Sequence, residues 1–147
     1  MENLENLSYR GYFFGNMYLS SIQQGIQAAH VMQKMLTEYW PMSSPAAAIL
    51  TKWCREDKTI ILLNGGYQSS LEELYTDLML WSNDGRDYPV GRFHEEPDAL
   101  NGAVTSVGIV LPDYVFSIPE EDEEDPLEFG SKDYLIRERI REFRLAT

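Results

Sequence analysis

The strongest constraint on the fold is the separation of two strand-like runs by a long stretch of helical periodicity. "YRGYFFGNMYL" (9–19) is aromatic and predicts a strand over Tyr9–Phe14, broken near Gly15 and Asn16. "TIILLN" (59–64) is a continuous, largely β-branched apolar run. A run of that kind predicts a strand covered on both faces. Between them, Ser21 stands three residues before Gln24, the spacing of a capping box. Ile22, Ile26, Ala29, Met32 or Gln33, Leu36 and Tyr39 then recur at near-helical intervals. Pro41 ends that helix. A second begins with Ser44 as cap and Pro45 in the first turn, and runs through "AAAILTKWC". Strands joined through helices of this length can pair in parallel, which a short hairpin cannot do.

The remainder continues the alternation. "SSLEELYTDLMLW" (69–81) predicts a helix capped by Ser70, with Leu71, Leu74, Leu78 and Trp81 on one face. "VGRF" (90–93) and "VTSVGIVL" (104–111) predict two more strands. The expected fold class is α/β: a mixed sheet of about four strands, helices on both faces, and a C-terminal helix. "PEEDEEDP" (119–126) reads as a solvated acidic linker. "SKDYLIRERIREFRL" (131–145) is a helix with a narrow stripe of Leu135, Ile136, Ile140 and Phe143. Arg137, Arg141 and Arg144 share another of its faces. The expected organisation is one α/β domain over 1–118, a linker over 119–130 and an amphipathic helix over 131–147.

Charge and composition narrow the function. The net charge of −12 opposes non-specific binding to nucleic acid, which depends on Lys and Arg neutralising phosphates. No apolar run approaches the roughly 18–20 residues that span a bilayer, and "MENLENLSYR" lacks the basic-then-apolar order of a secretory leader. The one cysteine, Cys54, cannot form an internal disulfide. A cytoplasmic protein is therefore expected. Cys54 reads as a packed thiol. His30, His94 and Cys54 do not make a convincing ligand set, so no metal is expected.

No phosphate-cradling glycine motif and no nucleophile elbow is present. Three places can carry chemistry. The helix opening at Ser20–Gln27 has a positive dipole end and unpaired N–H groups, suited to a phosphate or an oxyanion. Gly65 and Gly66 follow a strand, where ligands of open α/β sheets commonly sit. "HEEPDALNGAVTS" (94–106) brings Glu95, Glu96 and Asp98 near Thr105, and a carboxylate beside a hydroxyl can activate water.

Taken in order, these segments resemble the type 2 (archaeal and eukaryotic-type) family of peptidyl-tRNA hydrolases, as a divergent, phage-type member. "QQGIQAAHV" matches the family's Lys-x-Ala-Ala-Gln-x-x-His-Ala helix at Gln27 and His30, with Gly25 and Ile26 in place of two alanines. "KWCREDKTIILL" carries a Trp before the second strand, and "TSVGIVLP" looks like the family's last core strand. The likeness covers residues 9–116. It implies hydrolysis of the ester joining a peptidyl or N-blocked aminoacyl group to tRNA, without cofactor. Gln27, Thr105 and a carboxylate from Glu95, Glu96 or Asp98 would be catalytic. Ser21, Gln23, Gln24, His30, Gly65 and Gly66 would bind substrate, with His30 mainly structural. The family's lysine is replaced by Gln23, so the alternative is a non-catalytic module binding a nucleotide, an RNA end or a protein. The expected partners are tRNA or an RNA end, with a homodimer or protein contact through the C-terminal segment.

Overall fold

The computed structural model describes residues 6–95, 102–116 and 124–146. The elements run β1 (Tyr9–Gly15), α1 (Ser21–Tyr39), α2 (Pro45–Lys52), a π-type turn (Trp53–Asp57), β2 (Thr59–Asn64), α3 (Gln68–Trp81), β3 (Val90–His94), β4 (Val104–Pro112), a 3₁₀ turn (Asp113–Phe116) and α4 (Lys132–Ile140). One mixed sheet has the order β2-β1-β4-β3. β1 and β2 are parallel, and β4 is antiparallel to both β1 and β3. The long α1–α2 connection therefore makes the parallel crossover that its length permits.

Two apolar layers flank the sheet. On one face, Tyr9, Phe13 and Val110 meet Ala28, Val31, Met35 and Tyr39 of α1, Ile49 and Leu50 of α2, and Trp53. On the other, Tyr12, Phe14, Val107, Ile109 and Leu111 meet Leu71, Leu74 and Leu78 of α3 and Ile136 and Ile140 of α4. The period-2 alternation of β1 and β4 divides these sets.

The close approach of α1 rests on missing side chains. A Cβ at Gly108 would lie 2.6 Å from the Phe13 ring and 3.1 Å from Val31 Cγ1, and one at Gly91 would lie 2.5 Å from Met35 Cγ.

Several expectations change register. The capping box at α1 is Ser20 with Gln23, one residue before Ser21 with Gln24. The buried face of α1 is Gln24, Ala28, Val31, Met35 and Tyr39, whereas Ile22, Ile26 and Leu36 are exposed. This helix carries two apolar stripes, and the sheet takes the one whose small and flexible members fit over Gly91 and Gly108. α3 begins after Tyr67 without a side-chain cap, so Ser70 lies inside the helix. β2 is an edge strand, and Ile60 is 52% exposed. Its apolar run is not covered on both faces as expected, because β1 takes the central place. The outer edge of β2 is partly sealed by the C-terminal segment: Asn64 N donates to Arg144 O (2.8 Å) and Ala146 N to Leu62 O (2.9 Å).

α4 ends at Ile140, short of the helix expected through 147, because the chain turns at 141–142 and then pairs with β2. It docks through Ile136 and Ile140, and Arg137 is buried rather than on an outer cationic face. Its guanidinium forks onto Asp125 (Nη1 to Oδ1, 2.7 Å; Nη2 to Oδ2) and also reaches Glu138. Asp125 lies within the acidic block, so that residue is an ion-pair partner and not simply solvated. Tyr88 and Tyr114 both donate to Asp133 (2.6 and 3.2 Å), which ties α4 to the start of β3 and to the 3₁₀ turn.

Two predictions follow from this packing. Gly108→Ala must displace Phe13 or α1, and should lower the stability measured by urea unfolding by about 1–3 kcal/mol. The Arg137 fork holds the Asp125 carboxyl at about 2, against about 3.9 in an unfolded chain. A carboxyl with a lowered folded-state value stabilises fully above the unfolded value and loses that contribution as pH falls through the folded one. The difference in urea midpoint between the native chain and Asp125→Asn should therefore be constant above about pH 5 and shrink steadily towards about pH 2. A pH-independent difference would contradict the pairing.

Candidate functional site

One end of the sheet collects the predicted site residues because of strand direction. β1 and β2 both finish there, with Gly15 opposite Asn64. β4 begins there, with Ser106 opposite Gly15, and β3 ends there, with His94 opposite Val104. α1 starts a few residues after β1. Gln23, Gln24, Gln27, Gly65, Gly66 and Thr105, far apart in sequence, thus share a single edge of the fold.

The centre is a relay of three side chains. The β3–β4 register passes from Phe93↔Ser106 to His94↔Val104, so Thr105 is skipped in the ladder, although its hydroxyl lies 3.4 Å from Phe93 O. Such a bulge re-aims a side chain at the end of a ladder. The Thr105 hydroxyl donates to Gln27 Oε1 (2.9 Å), and Gln27 Nε2 donates to Glu95 Oε2 (3.2 Å). Glu95 is itself held by its backbone N–H on Ala103 O (3.0 Å). Thr105 is buried, while Gln27 and Glu95 are half-buried. A Gln at this place has both an acceptor and a donor to give, so one amide fixes the rotamers of a hydroxyl and a carboxylate together. Thr105 was expected to sit beside the carboxylate. It instead acts on Glu95 through Gln27. Glu96 and Asp98 lie outside the described residues.

The helix opening is used internally more than expected. Gln23 N donates to Ser20 Oγ (3.2 Å), and Ser20 N donates to Gln23 Oε1 (3.1 Å). Gln23 is therefore a capping residue. Ser21 is exposed. Gln24 is buried, its Nε2 donating to Leu19 O (3.1 Å). Its Oε1 and the hydroxyl of Ser106 are buried without a hydrogen-bond partner among the described residues. A Cβ at Gly15 would lie 2.5 Å from Gln24 Oε1, so this glycine admits the amide. His30 stacks on Phe93 (centroids 4.7 Å apart, planes at 18°) and its Nδ1 lies 3.2 Å from Gln33 Oε1, a packing role.

Gly65 and Gly66 shape the loop rather than offer donors. Gly65 N donates to Gly15 O (2.8 Å) and Gly66 N to Asn64 Oδ1 (3.1 Å). Gly66 has φ +79°, a left-handed backbone that favours glycine.

Asn16 is the residue that sequence reading passed over as a turn. It is buried, its Nδ2 donates to Val104 O (3.1 Å), its N–H donates to Thr105 O (3.1 Å), and its Oδ1 accepts from Tyr18 N (2.9 Å). Met17 N then donates to Gly66 O (2.8 Å). Asn16 thus clamps the β1–α1 loop onto the start of β4 and sets the position of Gln27 relative to Thr105. Its only signal in the sequence is an Asn directly after a strand-ending Gly.

Among the described residues, no group of three His, Cys, Asp or Glu is placed to hold a metal ion, and no helix is long and apolar enough to cross a membrane. Cys54 is half-buried in the π-type turn, where burial pushes its thiol pKa up. No protein-family model matches the chain, and no curated protein matches it either.

Thr105→Val keeps the shape of the side chain but leaves Gln27 Oε1 without its donor. It should cost about 1–3 kcal/mol in urea unfolding. Gln27→Leu should recover part of that loss in the double variant, because it removes the orphaned amide. Strict additivity in the double-mutant cycle would mean that the two side chains do not couple.

Proposed function

We propose that this chain hydrolyses the ester bond of peptidyl-tRNA or N-blocked aminoacyl-tRNA, with a carboxylate of the 94–98 loop as general base. The observation that carries the reading is the Thr105–Gln27–Glu95 relay, which orients a half-buried carboxylate at the sheet end beside the start of a helix. Glu95 takes a proton from water as the water oxygen attacks the ester carbonyl. The tetrahedral intermediate then collapses, the bond to the ribose oxygen breaks, and that oxygen receives the proton. Thr105 and Gln27 are positioning residues: they hold the carboxylate without touching the reacting atoms. The positive end of α1 adds a favourable potential for the terminal phosphate or the developing oxyanion. The resemblance in "QQGIQAAHV" and "TSVGIVLP" supplies the substrate class.

A second reading is a module that binds an RNA end or nucleotide without hydrolysis. It is favoured by Gln23, which closes the helix cap where the family carries a charged lysine.

The deciding assay is release of N-acetyl-aminoacyl product from charged tRNA by the purified chain. Glu95→Gln should lower kcat by about 10²-fold or more. Thr105→Ala should lower it less, with KM little changed, since it acts through Gln27. Product release that is no faster with the native chain than with Glu95→Gln excludes Glu95 as base. Saturable tRNA binding with no turnover selects the second reading.

A further inference from the structure

α1 has a second apolar face, turned away from the sheet. Ile22 (78% exposed), Ile26 (50%), Leu36 (38%) and Trp40 (76%) lie on it, with exposed Ala29 and Gln33 between them. The intervals are four, three, four, three and four residues, which is the a/d seam of a heptad repeat. The opposite face carries the residues buried against the sheet. Amphipathicity needed only for this domain's core does not explain the outer seam, because none of these six residues is buried.

We propose that this seam binds a second copy of the chain as an antiparallel helix pair about a two-fold axis level with Val31. In such a pair, a positions face d positions, and the seam is complementary to itself. Ile22 meets Trp40 of the second copy, Ile26 meets Leu36, and Ala29 meets Gln33. The large side chains form four outer layers. The central layers pair the smallest residue with the one polar residue, leaving room for the Gln33 amide, which His30 already steadies from its own chain. A two-fold axis uses one surface twice, so this matching of the two ends of a single helix is what an isologous contact requires.

Charge selects the same occupant. The chain carries −12, yet over residues 20–40 only Lys34 and Glu38 are charged, and they pair with each other (3.9 Å). The residues flanking the seam, Gln23, Gly25, His30, Met32 and Thr37, are uncharged. Two copies can meet along α1 without bringing like charges together, which most of this acidic surface forbids. The helix also has a single basic residue, Lys34, already paired with Glu38, where an interfacial helix on an anionic bilayer is rich in Lys and Arg.

Shape supplies a third observation. A groove of about 790 Å³, lined by Leu36, Trp40, Met42, Ala47 and Thr51 among others, lies beside the C-terminal end of α1. Exposed Tyr18 and Ile22 project at its N-terminal end. The proposed axis brings the Tyr18–Ile22 end of each copy to the groove of the other. The proposal does not rest on the hydrolase reading, although it places the partner's groove beside the α1 start that the reading uses.

Sedimentation equilibrium of the full chain between about 1 and 100 μM tests it. The expected mass rises to twice 17.0 kDa. Ile26→Glu and Leu36→Glu, each at an exposed position and checked for an unchanged circular dichroism spectrum, should each weaken the dimer by about 100-fold or more. In a Cys54→Ser background, Ile26→Cys chains mixed with Leu36→Cys chains should form an oxidised heterodimer, and neither should link to itself. A monomer across the whole range overturns the proposal. So does a dimer that survives both glutamate variants, or self-linking of each cysteine variant, which marks a parallel pair. A monomer that co-sediments with phosphatidylcholine vesicles overturns it in favour of a lipid surface.

Discussion

β4 is hydrogen-bonded to a neighbour along each edge and covered by helices on both faces, and all nine of its residues are buried. The rest of the molecule is arranged around that condition. Polar side chains on such a strand generally find partners inside the protein or leave the ladder, the Ser106 hydroxyl being the exception on β4. Thr105 does both: it sits at the bulge and donates to Gln27. Gly108 meets the condition differently, by giving up a side chain so that Phe13 and Val31 can close over the backbone. Gly91 and Gly108 together set how closely α1 approaches the sheet, and with it the height of Gln27 above Thr105.

The site end inherits its order from this arrangement. Asn16 ties the loop before α1 to the backbone of Val104 and Thr105, and the loop after β2 is tied in turn to Met17. Glu95 is held at the close of β3 by Ala103. The ends of α1, β3 and β4 therefore bring one amide to a hydroxyl and a carboxylate. In the proposed reaction, a carboxylate oriented in this way would need less reorganisation, because Gln27 already holds one of its oxygens. The C-terminal segment adds stability at a distance: it lies along the free edge of β2 and anchors α4 through Arg137 and Asp125.

Much of this was legible in the residues, and the places that were not share a cause. "VTSVGIVL" and "VGRF" mark β4 and β3, and Leu71, Leu74 and Leu78 mark the buried face of α3, because their periods have a single solution. α1 has two solutions. Ile22, Ile26 and Leu36 satisfy helical periodicity as well as Ala28, Val31 and Met35 do, and periodicity alone carries no information about which stripe a sheet with glycines at 91 and 108 can accept. The capping box had the same ambiguity: adjacent serines and adjacent glutamines give two registers one residue apart, and the structure takes Ser20 with Gln23. For "TIILLN", hydrophobicity described the run correctly but not its position in the sheet. Strand order depends on which neighbours win the pairing, and that competition is non-local.

By itself, the sequence determined where most of the strands and helices lie and the α/β class with a parallel crossover. Those follow from local propensity, period and connection length, which are properties of neighbouring residues. Only the tertiary structure decided that Gln27 stands between Thr105 and Glu95, that Gln23 is spent on a helix cap, that Arg137 is buried against Asp125, and that α1 turns a heptad seam outward. Each of these depends on contacts between segments tens of residues apart or on a choice between two locally equivalent faces. That choice is made by steric fit against the sheet, most directly by the room that Gly91 and Gly108 leave for Met35 and Val31.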